Sequence, residues 1–213
     1  MKGGLRRFVG GAAPPPPPAE ERGERCEMCA EPISEWHGHV VDLEGRGLMC
    51  TCRPCAMLFT AEGAGGGRYK AVPERYRYAA NVPVAEETWD AIGIPVGMAF
   101  FFTNSTLGRT VAFYPSPAGA TESLLPLDAW TDLISAIPEF GDLRADVEAL
   151  LVHKHQEKGF ECFAVPIDAC YQLVGLVRTY WKGFGGGEEA WTEIHKFFAN
   201  LRERSERVTT TDD

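Results

Sequence analysis

Two pairs of cysteines have the residue type and the spacing that a metal ion requires. Cys26 and Cys29 form one Cys-x-x-Cys sequence, and Cys52 and Cys55 form a second, with 22 residues between the pairs. In each pair a tight turn brings two thiolates to one ion, and two such turns complete a tetrahedral four-cysteine site. We therefore predict that these four cysteines bind a single metal ion, structural zinc.

Two further residues compete for places in this site. Cys50 extends the second pair to Cys-x-Cys-x-x-Cys, so that Cys50 replaces Cys52 in one alternative. In another alternative, His39 completes a site of three cysteines and one histidine. If Gly45-Arg46 is the tip of a β-hairpin, His39 opposes Cys52 and Val41 opposes Cys50, which brings His39 close to the metal.

The identity of the metal separates two classes of function. Zinc held by four cysteines is structural and indicates a non-enzymatic accessory or interaction protein. Iron in the same site gives a rubredoxin-like electron carrier. Rubredoxin-like sites usually have glycine after each cysteine pair, whereas this chain has Ala30 and Ala56. Because both ions accept four tetrahedral thiolates, zinc and iron remain alternatives.

A third alternative is an HNH-like metal-dependent nuclease, since such enzymes combine paired cysteines with a histidine-bearing hairpin. They use one histidine to activate water and others to bind a catalytic metal. Here no aspartate precedes His37 or His39, and residues 55–60 contain neither asparagine nor histidine. We find no complete catalytic constellation and predict that the protein is not an enzyme.

Charge and hydropathy restrict the partners and the compartment. The net charge is -9, and residues 81–213 hold 10 Lys or Arg against 20 Asp or Glu, which repels nucleic-acid phosphates. No apolar run approaches the roughly 18 residues of a transmembrane helix, and the N-terminus has no apolar signal segment. We therefore expect a cytoplasmic protein with reduced thiols, no membrane span, no nucleic-acid ligand and a protein partner.

The elements that position the cysteines belong to a small module at the start of a longer chain. A Cys-x-x-Cys turn, a hairpin, a second Cys-x-x-Cys turn and a short helix are the order of a treble-clef or zinc-ribbon-like fold. Five consecutive prolines precede the module, and the basic and apolar patch at residues 5–9 (Leu-Arg-Arg-Phe-Val) is a candidate docking motif. The predicted parts are a disordered tail (1–24), the cysteine module (25–62), a linker (63–81), an α+β domain (82–204) and a second disordered tail (205–213).

The α+β domain contains an internal repeat, because residues 125–134 match residues 165–174. The fold class predicted from it is α+β, with two pseudo-repeated β-hairpin–helix units that bury their apolar faces against each other. Asp128 and Asp168 are assigned to the N-caps of the two helices. The predicted elements are paired strands at 98–102 and 110–114, a helix at 127–137, paired strands at 147–152 and 161–165, and helices at 168–181 and 188–204.

The pattern of cysteines and histidines, together with residues 165–168 and 181–184, resembles an uncharacterised bacterial family of unknown function over roughly residues 25–204. Genes of that family often lie near genes for nickel–iron hydrogenases. The resemblance implies an accessory role in hydrogenase assembly or electron supply. It also implies that the protein partner is a hydrogenase or one of its assembly factors, and it establishes no activity.

Overall fold

The computed structural model describes residues 23–124, 131, 133–135, 137–155 and 159–208. Its strands are β1 (Gly38–Asp42), β2 (Gly47–Thr51), β3 (Tyr69–Ala71), β4 (Arg77–Val82), β5 (Met98–Asn104), β6 (Arg109–Ser116), β7 (Gly119–Ser123), β8 (Glu148–His155), β9 (Gly159–Pro166) and β10 (Glu206–Arg207). Its helices with described bounds are α1 (Arg53–Met57), α2 (Glu86–Ile92), α3 (Ile167–Tyr180) and α4 (Gly187–Arg204). The protein is therefore a mixed α and β structure.

The strands form two sheets in the described part of the chain. The small sheet has the order β2-β1-β3 and is antiparallel. The large sheet has the order β10-β4-β9-β8-β5-β6-β7, in which β10 runs parallel to β4 and the other neighbours are antiparallel. The small sheet contains the hairpin of the cysteine module, and the large sheet is the centre of the rest of the fold.

Both faces of the large sheet are buried, which explains why its central strands are continuous apolar runs. Successive side chains of a strand point to opposite faces. Phe100 therefore lies on the face that α3 and α4 cover. Phe101 lies on the opposite face, which is covered by α2, Leu133 and Ile137. The result is a three-layer arrangement with two apolar cores, one on each side of the sheet.

The cysteine module is attached to the face of the large sheet that carries α3 and α4. Val41 and Leu48 of its hairpin pack against this core. Lys70 of β3 also reaches across, and its Nζ donates to Asp146 Oδ2 at 2.7 Å. Apolar and ionic contacts therefore hold the module against the α+β domain.

The paired strands predicted from the sequence are confirmed, because β5 pairs with β6 and β8 pairs with β9. The two C-terminal helices are confirmed as α3 and α4. Of the helix predicted at 127–137, Thr131 and residues 133–135 are helical, and residues 127–130, 132 and 136 lie outside the described residues. The internal repeat stays a prediction, since residues 125–130 are not described and Leu133 packs on the sheet face opposite to α3.

The predicted boundaries between parts also stay predictions. The segment predicted as a linker contains β3 and β4, and each of them pairs with a sheet. The segment predicted as the second tail contains β10, while residues 209–213 are not described. The first tail up to residue 22, including the patch at residues 5–9, lies outside the described residues. No helix in the described ranges has the length and apolar character needed to cross a membrane.

Candidate metal centre

The first cysteine pair is placed by a tight turn before the hairpin. The backbone N–H of Ala30 donates to the carbonyl oxygen of Cys26 at 2.8 Å, and the N–H of Cys26 donates to the carbonyl oxygen of Glu31 at 2.8 Å. Ala30 has a φ of 61°. This is the left-handed conformation that glycine adopts without strain. The turn therefore requires a left-handed backbone at the residue after the cysteine pair. Glycine, which is usual there in rubredoxin-like sites, adopts this backbone without strain.

The second cysteine pair is placed by the start of α1. Cys52 is the N-cap residue of this helix, and Pro54 lies in its first turn, where proline's missing N–H costs no hydrogen bond. One helical turn then brings Cys55 beside Cys52, and the N–H of Ala56 donates to the carbonyl oxygen of Cys52 at 3.0 Å. The helix runs from Arg53 to Met57, so the short helix predicted after the second cysteine turn already includes Cys55.

The four cysteine sulfurs meet at one point of the module. The Sγ atoms of Cys26, Cys29, Cys52 and Cys55 lie within 4.8 Å of one another, and the Sγ atoms of Cys29 and Cys52 are 3.7 Å apart. Around a tetrahedral zinc ion with zinc–sulfur bonds of about 2.3 Å, sulfur atoms are about 3.8 Å apart. The cluster therefore has the dimensions of a metal site, and none of the chain's cysteines forms a disulfide.

The ionisation of the thiols fits a site prepared for a cation. Burial opposes ionisation of Cys26, but backbone N–H groups of Cys52, Cys29 and Met28 outweigh it and lower the pKa of Cys26 to about 6. The neighbouring thiols of Cys52 and Cys29 raise the pKa of Cys55 to about 12. Neighbouring thiolates repel one another, so each one opposes ionisation of the next. A bound divalent cation offsets this repulsion and stabilises all four thiolates.

The hairpin register predicted from the sequence is wrong by two residues. His39 opposes Cys50 and Val41 opposes Leu48, whereas the prediction paired His39 with Cys52. The cause is Asp42, whose Oδ1 accepts hydrogen bonds from the N–H groups of Glu44 at 3.1 Å and Gly45 at 3.0 Å. Arg68 binds the same carboxylate and lowers its pKa to about 2. These contacts start the turn at Asp42, so the tip spans four residues.

The two alternates therefore lie apart from the four-cysteine cluster. Cys50 and His39 form a separate group with His37, and one candidate ligand atom from each lies within 4.8 Å of the others. Burial, together with the carboxylates of Glu27, Glu24 and Asp168, raises the pKa of Cys50. The structure thus brings together Cys26, Cys29, Cys52 and Cys55, and the assignment of the ligands stays a prediction.

The N-cap role predicted for Asp168 is also wrong. Pro166 occupies the N-cap position of α3, and Asp168 lies in the first turn of the helix without a capping hydrogen bond. Its Oδ2 instead lies 3.0 Å from Nδ1 of His39. Asp128, the other predicted cap, lies outside the described residues. The contact of Asp168 joins two distant parts of the chain, so no local sequence signal could have indicated it.

The groove between the module and α3 is a further feature that sequence reasoning missed. It forms an open cavity of about 1020 Å³. His37, His39 and Cys52 line it from the module, and Asp168 and Tyr171 line it from α3. The candidate ligands are therefore next to a space that is large enough for a small molecule.

Residues 25–205 match the family of unknown function DUF5947. The chain belongs to this family. The DUF5947 match includes the cysteine module and strands β4 to β9 of the large sheet, and the family description names no activity. Neither the curated proteins nor the solved structures contain a match to this chain.

Proposed function

We propose that this protein is a non-enzymatic, zinc-binding accessory protein whose metal centre is structural. The observation that carries the proposal is the convergence of four thiol sulfurs within 4.8 Å at the base of the hairpin. Four protein ligands fill the tetrahedral coordination of zinc and leave no position for a substrate or water. Such a site stabilises a fold and does not activate a reactant.

The module depends on its metal because it has little apolar core of its own. Val40 is fully buried, but Val41 and Leu48 pack against the α+β domain and Met57 and Leu58 are exposed. A structural zinc ion supplies roughly 10 kcal/mol or more to the folding of such modules. The zinc ion is thus the main interaction that holds the two cysteine pairs and the hairpin together.

The proposed partner is a protein that binds the exposed apolar residues of the module. Trp36 is 81% exposed and Leu58 is 67% exposed, with Met57 beside it. Large apolar side chains in contact with water are characteristic of residues that a partner protein covers. The resemblance to a family encoded near hydrogenase genes supports a hydrogenase or one of its assembly factors as this partner.

Metal analysis of protein purified without a chelator tests the structural role. We expect colourless protein that contains zinc, and loss of the zinc ion of the four-cysteine centre in Cys29→Ser and Cys55→Ser. Red or brown protein with iron in place of zinc would instead establish the rubredoxin-like electron carrier. Less than half an equivalent of any transition metal would contradict both.

Affinity purification from native cells tests the accessory role. We expect the wild-type protein to retain a hydrogenase subunit or assembly factor, and the double variant Trp36→Ala/Leu58→Ala to lose it while keeping its zinc. The matched control is Leu124→Ala, since Leu124 is 94% exposed and lies outside the module. Equal recovery of the partner by the double variant and by the control would refute this docking surface.

A further inference from the structure

A second group of metal-ligating side chains lies beside the four-cysteine cluster and is not used by it. His37 and His39 extend from the start of the hairpin, and Cys50 lies directly opposite His39 on the neighbouring strand. One candidate ligand atom from each of the three residues lies within 4.8 Å of the others. Two imidazole nitrogens and one thiolate sulfur are a donor set that binds zinc and cobalt.

Both histidines are oriented as metal ligands are. His39 Nδ1 lies 3.0 Å from Asp168 Oδ2. His37 Nδ1 lies 2.9 Å from the carbonyl oxygen of Ser34, which can only accept, so Nδ1 carries the proton. In each ring the Nε2 lone pair is then free for an ion. A histidine held at Nδ1 by a carboxylate or carbonyl oxygen is the usual arrangement around protein-bound zinc.

The strongest single indication is an unsatisfied atom. The side chain of His37 is only 10% exposed, and its Nε2 is buried without a hydrogen-bond partner. A buried polar atom of this kind destabilises the fold unless something binds it. A metal ion at Nε2 removes this cost.

The surroundings are negatively charged, as a cation site requires. Asp168 binds His39, and its second oxygen, Oδ1, is buried without a partner. Glu27 accepts a hydrogen bond from the N–H of Cys50, and Glu24 Oε2 lies 3.9 Å from His37 Nδ1. Three carboxylates thus surround the three candidate ligands.

A third group, formed by His153, His155 and Glu161, shows the difference between such a site and a closed ionic network. Its ligand atoms are equally close. However, Glu161 accepts two hydrogen bonds from Arg202, at 2.8 and 2.6 Å, and one from Tyr78 at 2.7 Å. The guanidinium already supplies the positive charge there. No arginine or lysine bonds to His37, His39 or Cys50 in the described residues.

We propose that His37 Nε2, His39 Nε2 and Cys50 Sγ bind a second zinc-type metal ion, separate from the four-cysteine centre. With three protein ligands, the ion keeps a fourth position for water or an exchangeable small-molecule donor. His37, His39 and Asp168 line the cavity of about 1020 Å³, so a ligand from solution reaches the metal through it. This site goes beyond the proposed structural role, because it can exchange ligands.

Zinc stoichiometry after saturation and removal of free metal tests the second site. We expect about two zinc ions per wild-type chain and about one in Cys50→Ser and His39→Ala. The control His195→Ala, which removes an exposed histidine of α4, retains both. One zinc in the wild type that is also kept by Cys50→Ser would overturn the second site and leave the structural centre intact. A wild type without zinc would refute both.

The contact between His39 and Asp168 allows a test that distinguishes a metal-binding role of His39 from a purely structural one. Loss of a carboxylate that orients a ligating histidine weakens metal affinity by about 10–100-fold. We expect Asp168→Asn to weaken only the second zinc by this factor, in competition with a chromophoric chelator. The matched control Glu188→Gln, in the first turn of α4, leaves both affinities unchanged. Lower thermal stability of Asp168→Asn with two unchanged zinc affinities would show that the pair only docks the module.

Discussion

The buried ionic network around Glu161 allows a quantitative prediction for the substitution Glu161→Gln. Glu161 of β9 binds Arg202 of α4 through two hydrogen bonds, Tyr78 of β4 through one, and His155 of β8 at 2.9 Å. The substitution keeps the shape of the side chain and removes its charge. It therefore leaves the guanidinium without a counter-ion at the junction of three strands and a helix.

The expected cost follows from the burial of the two partners. Removing one partner of a buried ion pair destabilises a protein by about 3–5 kcal/mol. The side chain of Glu161 is 10% exposed, but that of Arg202 is 32% exposed, so water compensates part of the loss. We predict that Glu161→Gln lowers the free energy of unfolding by about 2–4 kcal/mol, measured by urea denaturation with an unchanged m-value.

A surface pair provides the matched control. Arg109 and Glu122 form a single contact at 3.1 Å between side chains that are about half exposed, and such pairs contribute about 0–1 kcal/mol. Glu122→Gln should therefore change the stability by less than about 1 kcal/mol. Equal effects of the two substitutions would refute the reasoning, because burial would then have no influence on the cost.

The pH dependence of Glu161 gives a second measurement on the same variant. Burial alone would raise its pKa, but the hydrogen bonds from Arg202 and Tyr78, together with the nearby His153 ring, hold the pKa well below the ordinary value of 4.5. The stabilisation by this carboxylate is then complete above pH 4.5 and is lost as the pH falls further. Wild-type protein should lose stability below pH 4.5 more steeply than Glu161→Gln, and parallel curves would contradict the assignment.

Three further predictions concern the backbone and His153. Ala30→Gly relieves a left-handed φ that costs about 1 kcal/mol, partly offset by the flexibility of glycine in the unfolded chain. We expect thermal unfolding to show a gain of about 0.5 kcal/mol, whereas Ala56→Gly within α1 should lose about 1 kcal/mol. Gly38→Ala places a Cβ 2.9 Å from the Cβ of Ala56, so we expect urea denaturation to show a loss of about 1–3 kcal/mol; unchanged stability would refute this packing. Burial lowers the pKa of His153 below 6.5, so the contribution of the neutral ring to stability is complete above pH 6.5 and is lost as the pH falls below it. His153→Gln should therefore make the free energy of unfolding less dependent on pH below pH 6.5.

The features that could be predicted from the sequence have local signals. The two cysteine pairs have a fixed spacing, and the structure brings all four together. The apolar runs of β5 and β8 predicted their pairings because turn residues separate each strand from its neighbour. Such patterns depend on residues that are close in the chain, so short segments contain enough information.

The features that could not be predicted depend on contacts between distant residues. The hairpin register is set partly by Arg68, which binds Asp42 from outside the hairpin. Asp168 has the sequence position of a helix cap, yet its carboxylate faces His39 of the module. Because these contacts are not visible in the sequence, we predicted Cys50 and His39 as alternate ligands of one site. In the structure they form a second group with His37.

The most direct test of the four-cysteine centre is zinc X-ray absorption of the Cys50→Ser variant, which removes the ligand thiol of the second group. We predict about one zinc ion per chain with four sulfur neighbours at about 2.3 Å and no nitrogen neighbour. Less than half an equivalent of metal, or a first shell that mixes sulfur and nitrogen, would contradict the assignment of Cys26, Cys29, Cys52 and Cys55 as the ligands.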